Sequence, residues 1–484
     1  MSTRRAIAFS FLDRYAALAL SIAASYILSR LMTPSEIGVY SVTMVFVSLA
    51  AAFRDLGAGQ FLLQKRELEP QHIKAVWTIM LGAGSVMAVL ILLAAWPLSL
   101  FYKDPRIMPI MWLIALGYVF NSFGAMSYAW LMRSLRFEAL ALMRFSATLT
   151  GTAATLLLAW RDFGPISLAW GSLVTALTNA AVGLYYRPDS FHWLPTRQGL
   201  REVLSFGSKV SLTSMAGTLG NGAPEMVLGK LQDLHAVGLY SRANGLVSMF
   251  ARLVMDATNA VALPLFARTT REQGSSREPW LRATGYVTVL GWSFAAGVAL
   301  LGAPLVLLLH GPQWGEAVPP LRWMALGMAV GLPAALCPQL LIGAGQAGRV
   351  LRLTLFATAC QILCTSVGAF FGLEEAALGF AAAQLLSLVS WLRGAREVIA
   401  FQWSELAGLL LRSASCAVLA GVGPLLIVLV YGTAPEHPVA PLLWATLAGG
   451  ALLLLALRLA AHPLWSECQR MAGFLRGKLY GSPR

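Results

Sequence analysis

Charge is scarce in this chain. Only 12% of its 484 residues are Asp, Glu, Lys or Arg, about half of the roughly 25% that a soluble domain carries. With 57% of its residues hydrophobic, the chain has too little polar surface for a water-soluble globule. Cysteine is scarce as well: Cys337, Cys360, Cys364, Cys416 and Cys468 show no CxxC spacing, which argues against a disulfide framework or a structural zinc site. Six histidines show no metal-ligand spacing either. Finally, no long polar loop separates the apolar segments on the outer side. A membrane glycosyltransferase, ligase or polymerase needs catalytic groups in a sizeable external loop, and here every such loop is about ten residues or fewer without clustered carboxylates or histidines.

What the sequence has in abundance is apolar runs. Fourteen span roughly 7–29, 37–58, 75–101, 107–131, 138–160, 163–185, 203–224, 235–263, 282–309, 316–343, 350–372, 374–395, 407–431 and 438–460. Each is long enough to cross a hydrocarbon core of about 30 Å as a helix, and runs of this length satisfy their backbone polar groups internally only as helices. The expected fold class is therefore an all-α integral membrane protein of about fourteen transmembrane helices. The opening MSTRRAIAFSFLDR has a positive start, but Asp13 and Arg14 interrupt its apolar stretch and no small-residue cleavage site follows; it reads as a retained first helix.

The formal net charge of +14 raises the question of a nucleic-acid partner, which the distribution of charge answers. Segments on one side of the predicted helices hold 23 Lys and Arg, whereas the other side holds five: Arg30, Lys103, Arg106, Arg161 and Lys230. That bias is the positive-inside signal. It places both termini in the cytoplasm, explains the basic balance by topology and leaves no case for nucleic acid.

The sequence also repeats itself. LMTPSEIGVYS at Leu31 to Ser41 and LQDLHAVGLYS at Leu231 to Ser241 share Leu31/Leu231, Gly38/Gly238, Tyr40/Tyr240 and Ser41/Ser241, at the entries to the second and eighth helices. Upstream, FSFLDR at Phe9 to Arg14 matches LSFGSK at Leu204 to Lys209. Two pseudo-symmetric six-helix lobes follow, parallel repeats related by an axis along the membrane normal. The expected organisation is an N-lobe at 1–186, a cytoplasmic linker at 187–202, a C-lobe at 203–397, two further helices at 398–461 and a basic tail at 462–484, suited to an interfacial helix.

Within the predicted spans lie Arg14, Arg54, Arg144, Lys209, Arg242, Arg252, Arg322 and Arg412, against Asp13, Asp55, Glu225 and Asp256. A charged side chain at a helix centre costs about 2.5–3.5 kcal/mol on insertion scales, so it faces a wet cavity or a partner. Near helix ends a long side chain reaches the headgroups instead, which accounts well for several of these; Arg252 lies deeper. The cationic excess points to an anionic substrate held in a central cavity, with Arg14, Arg54, Lys209, Arg242 and Arg252 as candidate ligands. Cations recurring on helices 1, 2, 7 and 8 suit a phosphate or pyrophosphate held by Arg forks. Asp256 follows Arg252 at i, i+4 and can pair with it, while Asp13 and Asp55 adjoin Arg14 and Arg54 as candidate proton or sodium coupling sites. No other cofactor and no metal is called for. Gly220, Gly222 and Pro224, in the run Gly220-Asn221-Gly222-Ala223-Pro224, weaken helix 7 and mark a gate or hinge.

These residues resemble the Wzx-type polysaccharide flippases of the multidrug/oligosaccharidyl-lipid/polysaccharide exporter superfamily. SRLMTPSEIGVYS at Ser29 to Ser41 resembles that family's first outer turn and RDLGAGQFLLQKREL at Arg54 to Leu68 the exit of its second helix. YAWLMRSLRFEALA at Tyr128 to Ala141 is similar to the connection between helices 4 and 5, and GLYSRANGL at Gly238 to Leu246 to the start of the eighth. The resemblance implies a V-shaped fourteen-helix fold in the bacterial inner membrane. Such a fold passes an undecaprenyl-pyrophosphate-linked oligosaccharide between leaflets by alternating access, with the lipid tail in a lateral groove. It implies membrane lipids and a polysaccharide polymerase with its chain-length machinery as partners, and no enzyme activity. In related lipid II flippases arginines on helices 1, 2 and 8 matter, and Arg14, Arg54 and Arg252 lie on those helices here. A lipid II flippase fits the same charge pattern; a cation-coupled drug exporter wants acids where this chain has arginines.

Overall fold

The computed structural model describes residues 16, 19–54, 62, 69–134, 136–187, 196, 200–272, 274–432 and 438–479. Every regular element among them is helical. In chain order these are α1 (Ala19–Leu31), α2 (Pro34–Arg54), α3 (Pro70–Tyr102), α4 (Ile107–Arg133), α5 (Phe137–Trp160), α6 (Ile166–Tyr185), α7 (Leu200–Leu231) and α8 (Leu234–Phe250). A π-helical turn, Ala251–Met255, leads from α8 into α9 (Asp256–Arg271). There follow α10 (Arg277–Leu309), α11 (Val318–Gly331), α12 (Cys337–Gly343), α13 (Ala347–Phe371), α14 (Leu373–Ile399), α15 (Trp403–Tyr431), α16 (Val439–Leu459) and α17 (Pro463–Leu479).

Among the described residues twelve helical segments are long and apolar enough to cross a membrane, so this is a multi-pass membrane protein. The expected fourteen differ at two places. The first span falls partly outside the described residues, leaving the shorter apolar α1. The seventh, α7, is a helix of 32 residues, yet its Lys209, Asn221, Glu225 and Lys230 keep it below the apolarity of a typical span.

The repeated motif has a physical purpose at the starts of α2 and α8. Thr33 caps α2: its backbone N–H donates to the Glu36 carboxylate at 2.8 Å and its Oγ1 accepts from the Glu36 N–H at 3.4 Å, a capping box with Pro34 in the first turn. Asp233, at the matching position, caps α8 by accepting the Ala236 N–H at 2.7 Å. Both helices then place a glycine five residues past the cap. A methyl group built on Gly38 would overlap the Leu234 carbonyl, and one built on Gly238 would overlap the Pro34 carbonyl. Pro34 and Leu234 correspond in the repeat, so the contact is reciprocal, as a local two-fold axis requires. Only glycine lets backbones approach this closely.

Packing contacts divide the chain into Met1–Gly238 and Leu239–Arg484. In the first unit α4 packs on α3 and α6, α6 on α5, and α7 lies against α2 and α3. Polar bonds fix the α3 end to α7: Tyr102 Oη donates to the Met226 carbonyl at 3.1 Å and Lys230 Nζ to that of Phe101 at 3.0 Å. In the second unit α14 packs on α13 and α11, α10 on α11 and α15, and α15 on α16. Its core gathers Phe250, Phe266, Trp280, Leu336 and Phe401, with the Trp280 and Phe401 rings stacked at 5.1 Å.

His462 docks the tail helix. Only 1% of it is exposed. Its Nδ1 accepts the Leu464 N–H at 3.2 Å, which caps α17, and its Nε2 lies 3.2 Å from Ser413 Oγ on α15. Thr288 on α10 donates to the same Ser413 hydroxyl at 3.1 Å. An imidazole that accepts at Nδ1 is neutral, and burial, with Arg412 adding to it, pushes its pKa down to about 4.

Two outcomes follow. Gly38→Ala and Gly238→Ala should each cost about 1–3 kcal/mol of stability, the usual penalty of overpacking; Gly82→Ala, whose new methyl would meet nothing within 4 Å, should melt like the parent in detergent. Acidification should also weaken the fold. The unfolded His462 takes its proton near the ordinary 6.5 and the folded one only near 4, so stability is complete above the first value and falls as pH drops through the window between them. Melting from pH 7.5 to pH 4.5 reads this slope, and His462→Gln should flatten it.

Candidate substrate site on helix α8

The span that begins with α8 runs from Leu234 to Thr270, and Arg252 stands at its midpoint. The helix changes character there. Ala251–Met255 form a π-helical turn, closed by the Asp256 N–H donating to the Ala251 carbonyl. Such turns are rare, and where they interrupt α-helices they frequently mark functional sites. Gly245, Ser248, Arg252 and Asp256 follow one another at intervals of three or four residues, which sets them along one stripe.

The Arg252 side chain is exposed and folds back towards the helix start, the direction long side chains take on helices. Its Nη2 donates to the Gly245 carbonyl at 3.2 Å and to Ser248 Oγ at 3.5 Å, while Ser248 Oγ donates to the same carbonyl at 2.9 Å. Asp256, four residues on, is exposed as well. A guanidinium at the middle of a membrane span is tolerated only with water or a partner at hand, so this stripe is able to meet a polar, negatively charged group.

Other cations are committed elsewhere. Arg242 is largely buried with its guanidinium 5.4 Å from the centre of the Trp314 ring; Trp314 is itself fully buried on the short helical turn Pro312–Ala317. That is a cation–π contact, which fixes Arg242 against an aromatic wall. Arg106 pairs with Asp104 at 2.7 Å. Burial alone would raise the Asp104 carboxyl, but the hydrogen bonds and charge of Arg106 outweigh it and hold the group below the usual carboxylate range. Arg268 and Arg282 pair with Glu272 and Glu278 one turn away.

Of the remaining sequence candidates, Asp13, Arg14 and Asp55 lie outside the described residues. Arg54 ends α2 and Lys209 lies on α7; their side chains also lie outside what is described. Gly220, Gly222 and Pro224 sit within α7, which stays helical through all three. The weakening expected there produces no break in the helix. Gly222 instead receives Val45 of α2, whose side chain would overlap an added methyl, and Pro224 is buried. Among the described residues no group of three or more His, Cys, Asp or Glu is placed to hold a metal ion.

Sequence reasoning missed the π turn, the Trp314 wall and an apolar groove. The groove, about 560 Å³, opens between α10, α15 and α16 and is lined by Gly297, Leu301, Pro424, Leu442, Gly449 and Leu453 among others. Its lining is almost wholly hydrocarbon, with Ser293 and Thr446 the polar exceptions. The pair Gly449-Gly450 was the available signal, since two glycines leave a hollow on an otherwise large-residue helix.

The chain is similar to known proteins over most of its length. The succinoglycan biosynthesis transport protein ExoT of Rhizobium meliloti (strain 1021) is 25% identical over 396 residues, covering 80% of this chain and 78% of that one. The lipopolysaccharide biosynthesis protein WzxC of Escherichia coli (strain K12) is 21% identical over 376 residues, covering 75% and 74%. Among solved structures, the lipid II flippase MurJ in an inward closed conformation superposes with a TM-score of 0.76 at 13% identity, covering 93% of this chain and 98% of that one, which shows a shared fold. The family described as polysaccharide biosynthesis protein matches residues 27–319, more than half of the sequence, and the chain belongs to that family.

Proposed function

We propose that this chain is a flippase that moves an undecaprenyl-pyrophosphate-linked oligosaccharide repeat unit across the bacterial inner membrane by alternating access, for exopolysaccharide, O-antigen or capsule synthesis. The observation that carries the reading is Arg252, an exposed guanidinium at the midpoint of a membrane span in a chain with little charge to spend. A pyrophosphate is the natural counterpart: doubly or more negatively charged, and able to accept the parallel hydrogen bonds of a guanidinium fork. Arg14, Arg54, Lys209 and Arg242 are the further ligands proposed.

The apolar groove between α10, α15 and α16 supports the same reading, as a seat for the isoprenoid tail. Its role is guidance. A tail leaving the bilayer for the groove exchanges one hydrocarbon environment for another, so hydrophobic burial supplies little net driving force there; shape selects what enters. The glycan, by contrast, has to be shielded from hydrocarbon throughout, and a chain that carries rather than converts needs no catalytic group. The belonging to a polysaccharide biosynthesis family, a relative named as a succinoglycan transport protein and a charge bias of the kind expected with both termini in the cytoplasm support this reading. Asp13, Asp55 and Asp256 are the proposed places for proton or sodium coupling, the α7 segment at Gly220 to Pro224 the proposed hinge, and a polysaccharide polymerase the proposed recipient.

The test is lipid-linked glycan in host cells depleted of this chain and resupplied with wild type or Arg252→Ala. A complete repeat unit on undecaprenyl pyrophosphate, scored by mass spectrometry, should accumulate inaccessible from the periplasm; wild type should clear it, and Arg252→Ala should clear it at least tenfold more slowly. Absence of any accumulated lipid-linked glycan sinks the proposal, and accumulation of lipid II alone replaces it with a cell-wall precursor flippase.

A further inference from the structure

Two spans of the second packing unit are interrupted, and at the same depth. The span that begins with α8 passes through the π turn Ala251–Met255 before it continues as α9. The span that begins with α11 gives way at Leu332–Ala334, a 3-10 turn, and resumes as α12 at Cys337. Beyond the interruptions the two continuations lie together. Helix α9 packs on α12, and a methyl group built on Gly343 would come within 3.0 Å of Phe266 Cβ and of the Ala267 backbone nitrogen. Both spans run in the same direction, because the span of α10 lies between them in the chain. Counting back eleven residues from Phe266 and from Gly343 reaches Met255 on one span and Leu332 on the other.

One residue of α10 meets the edges of both interruptions. A methyl group built on Gly291 would overlap Leu332 and the ring of Phe250, the residues at which α11 and α8 give way. Beside it, Trp292 makes good a missing backbone donor. Pro333 has no N–H to offer the Ala329 carbonyl four residues earlier, and Trp292 Nε1 donates to that carbonyl at 2.7 Å. Packing also differs on the two sides of the break. Helix α11 is held by α10 and α14, whereas among the described residues α12 has α9 as its chief neighbour and α9 touches α10 only slightly.

We infer that α9 and α12 form one body that swings against the rest of its unit about these two interruptions, with Gly291 as the fulcrum and the Trp292 indole as the pin that holds the present position. The inference rests on the reading of the chain as an alternating carrier, whatever its cargo. Element ends are where a backbone absorbs a change of direction, and one interruption alone would let its own helix bend independently. Two at one level, with the continuations packed on each other, bend together. The moving end lies beside Arg268 on α9 and Arg349 just past α12, on the side that the charge bias assigns to the cytoplasm, so the swing opens and closes the inner side of this unit. It starts at the turn that carries Arg252, and therefore changes how that arginine is presented. Gly291 and Trp292 are positioning residues for this movement.

The test reads distances between nitroxide labels by pulsed electron paramagnetic resonance on the full chain in lipid nanodiscs. Labels are attached at exposed positions through Thr270→Cys on α9, Ile342→Cys on α12 and Ser404→Cys on α15, with the native cysteines changed to alanine and the labelled chains first matched to wild type in melting temperature and glycan clearance. The distances from Thr270 to Ser404 and from Ile342 to Ser404 should each fall into two populations of the same ratio, while that from Thr270 to Ile342 stays single. Trp292→Phe keeps an aromatic ring without the donor and should shift both ratios together by about fivefold, the worth of an ordinary hydrogen bond. Pro333→Ala restores the missing N–H and should leave one population and slow clearance. If the distance from Thr270 to Ile342 splits as well, α9 and α12 are not one body and the inference fails. If all three distances stay single in wild type and in Trp292→Phe, nothing swings and the inference fails, while the flippase reading still stands or falls by the glycan assay. A paired swing in a chain whose depletion accumulates no lipid-linked glycan would uphold the inference and sink that reading instead.

Discussion

Helices α2 and α8 can begin side by side only because neither carries a side chain at the fifth residue after its cap. Each glycine receives the first-turn carbonyl of the other helix, from Leu234 and Pro34 respectively. Where hydrocarbon surrounds a helix bundle, apolar burial contributes little to holding helices together, and close backbone approach with good van der Waals contact takes its place. The same means recurs along α7, where Gly222 meets Val45 and Gly229 lies near Val42 and Tyr102. Helix starts capped by Thr33 and Asp233 set the register, and the glycines then fix the distance.

Electrostatics sorts the arginines by what stands next to them. Arg106 has Asp104 and sits in a turn between spans. Arg242 has the face of Trp314 and little access to water. Arg252 donates to the Gly245 carbonyl and the Ser248 hydroxyl of its own helix, and it is exposed at the centre of its span. One residue type thus stands in an ion pair at a turn, against an aromatic ring, and exposed at the middle of a span. Which role applies depends on depth and on neighbours contributed by other helices, so sequence position alone separates them poorly.

Much of the fold was legible because membranes impose simple rules. Run length located twelve spans, with ends that differ by up to about seven residues, and the depth of Arg252 followed from the length of its own run. The repeat around Gly38 and Gly238 was visible as a pattern, but its meaning as a reciprocal contact required both helices in place. The π turn at Ala251–Met255 was not legible, since one extra residue per turn changes no composition and the apolar run continues through it. Nor was the groove: Leu442, Gly449 and Leu453 read like residues of any membrane helix until α10 and α15 stand opposite them. On α7 the run Gly220 to Pro224 reads as a weakened stretch by composition; the helix runs unbroken through it, and the contact of Val45 of α2 on Gly222 became visible only with both helices in place.

All of the groove's walls come from α10, α15 and α16, which belong to a single packing unit. On the proposed reading, an isoprenoid chain seated there would keep the same groove lining, so its solvation would change little while the cargo crosses. The rate barrier would then scale with the polar cargo and not with the length of the anchor. A short-tailed analogue and the full-length lipid would cross at similar speeds, differing in how readily they are recruited.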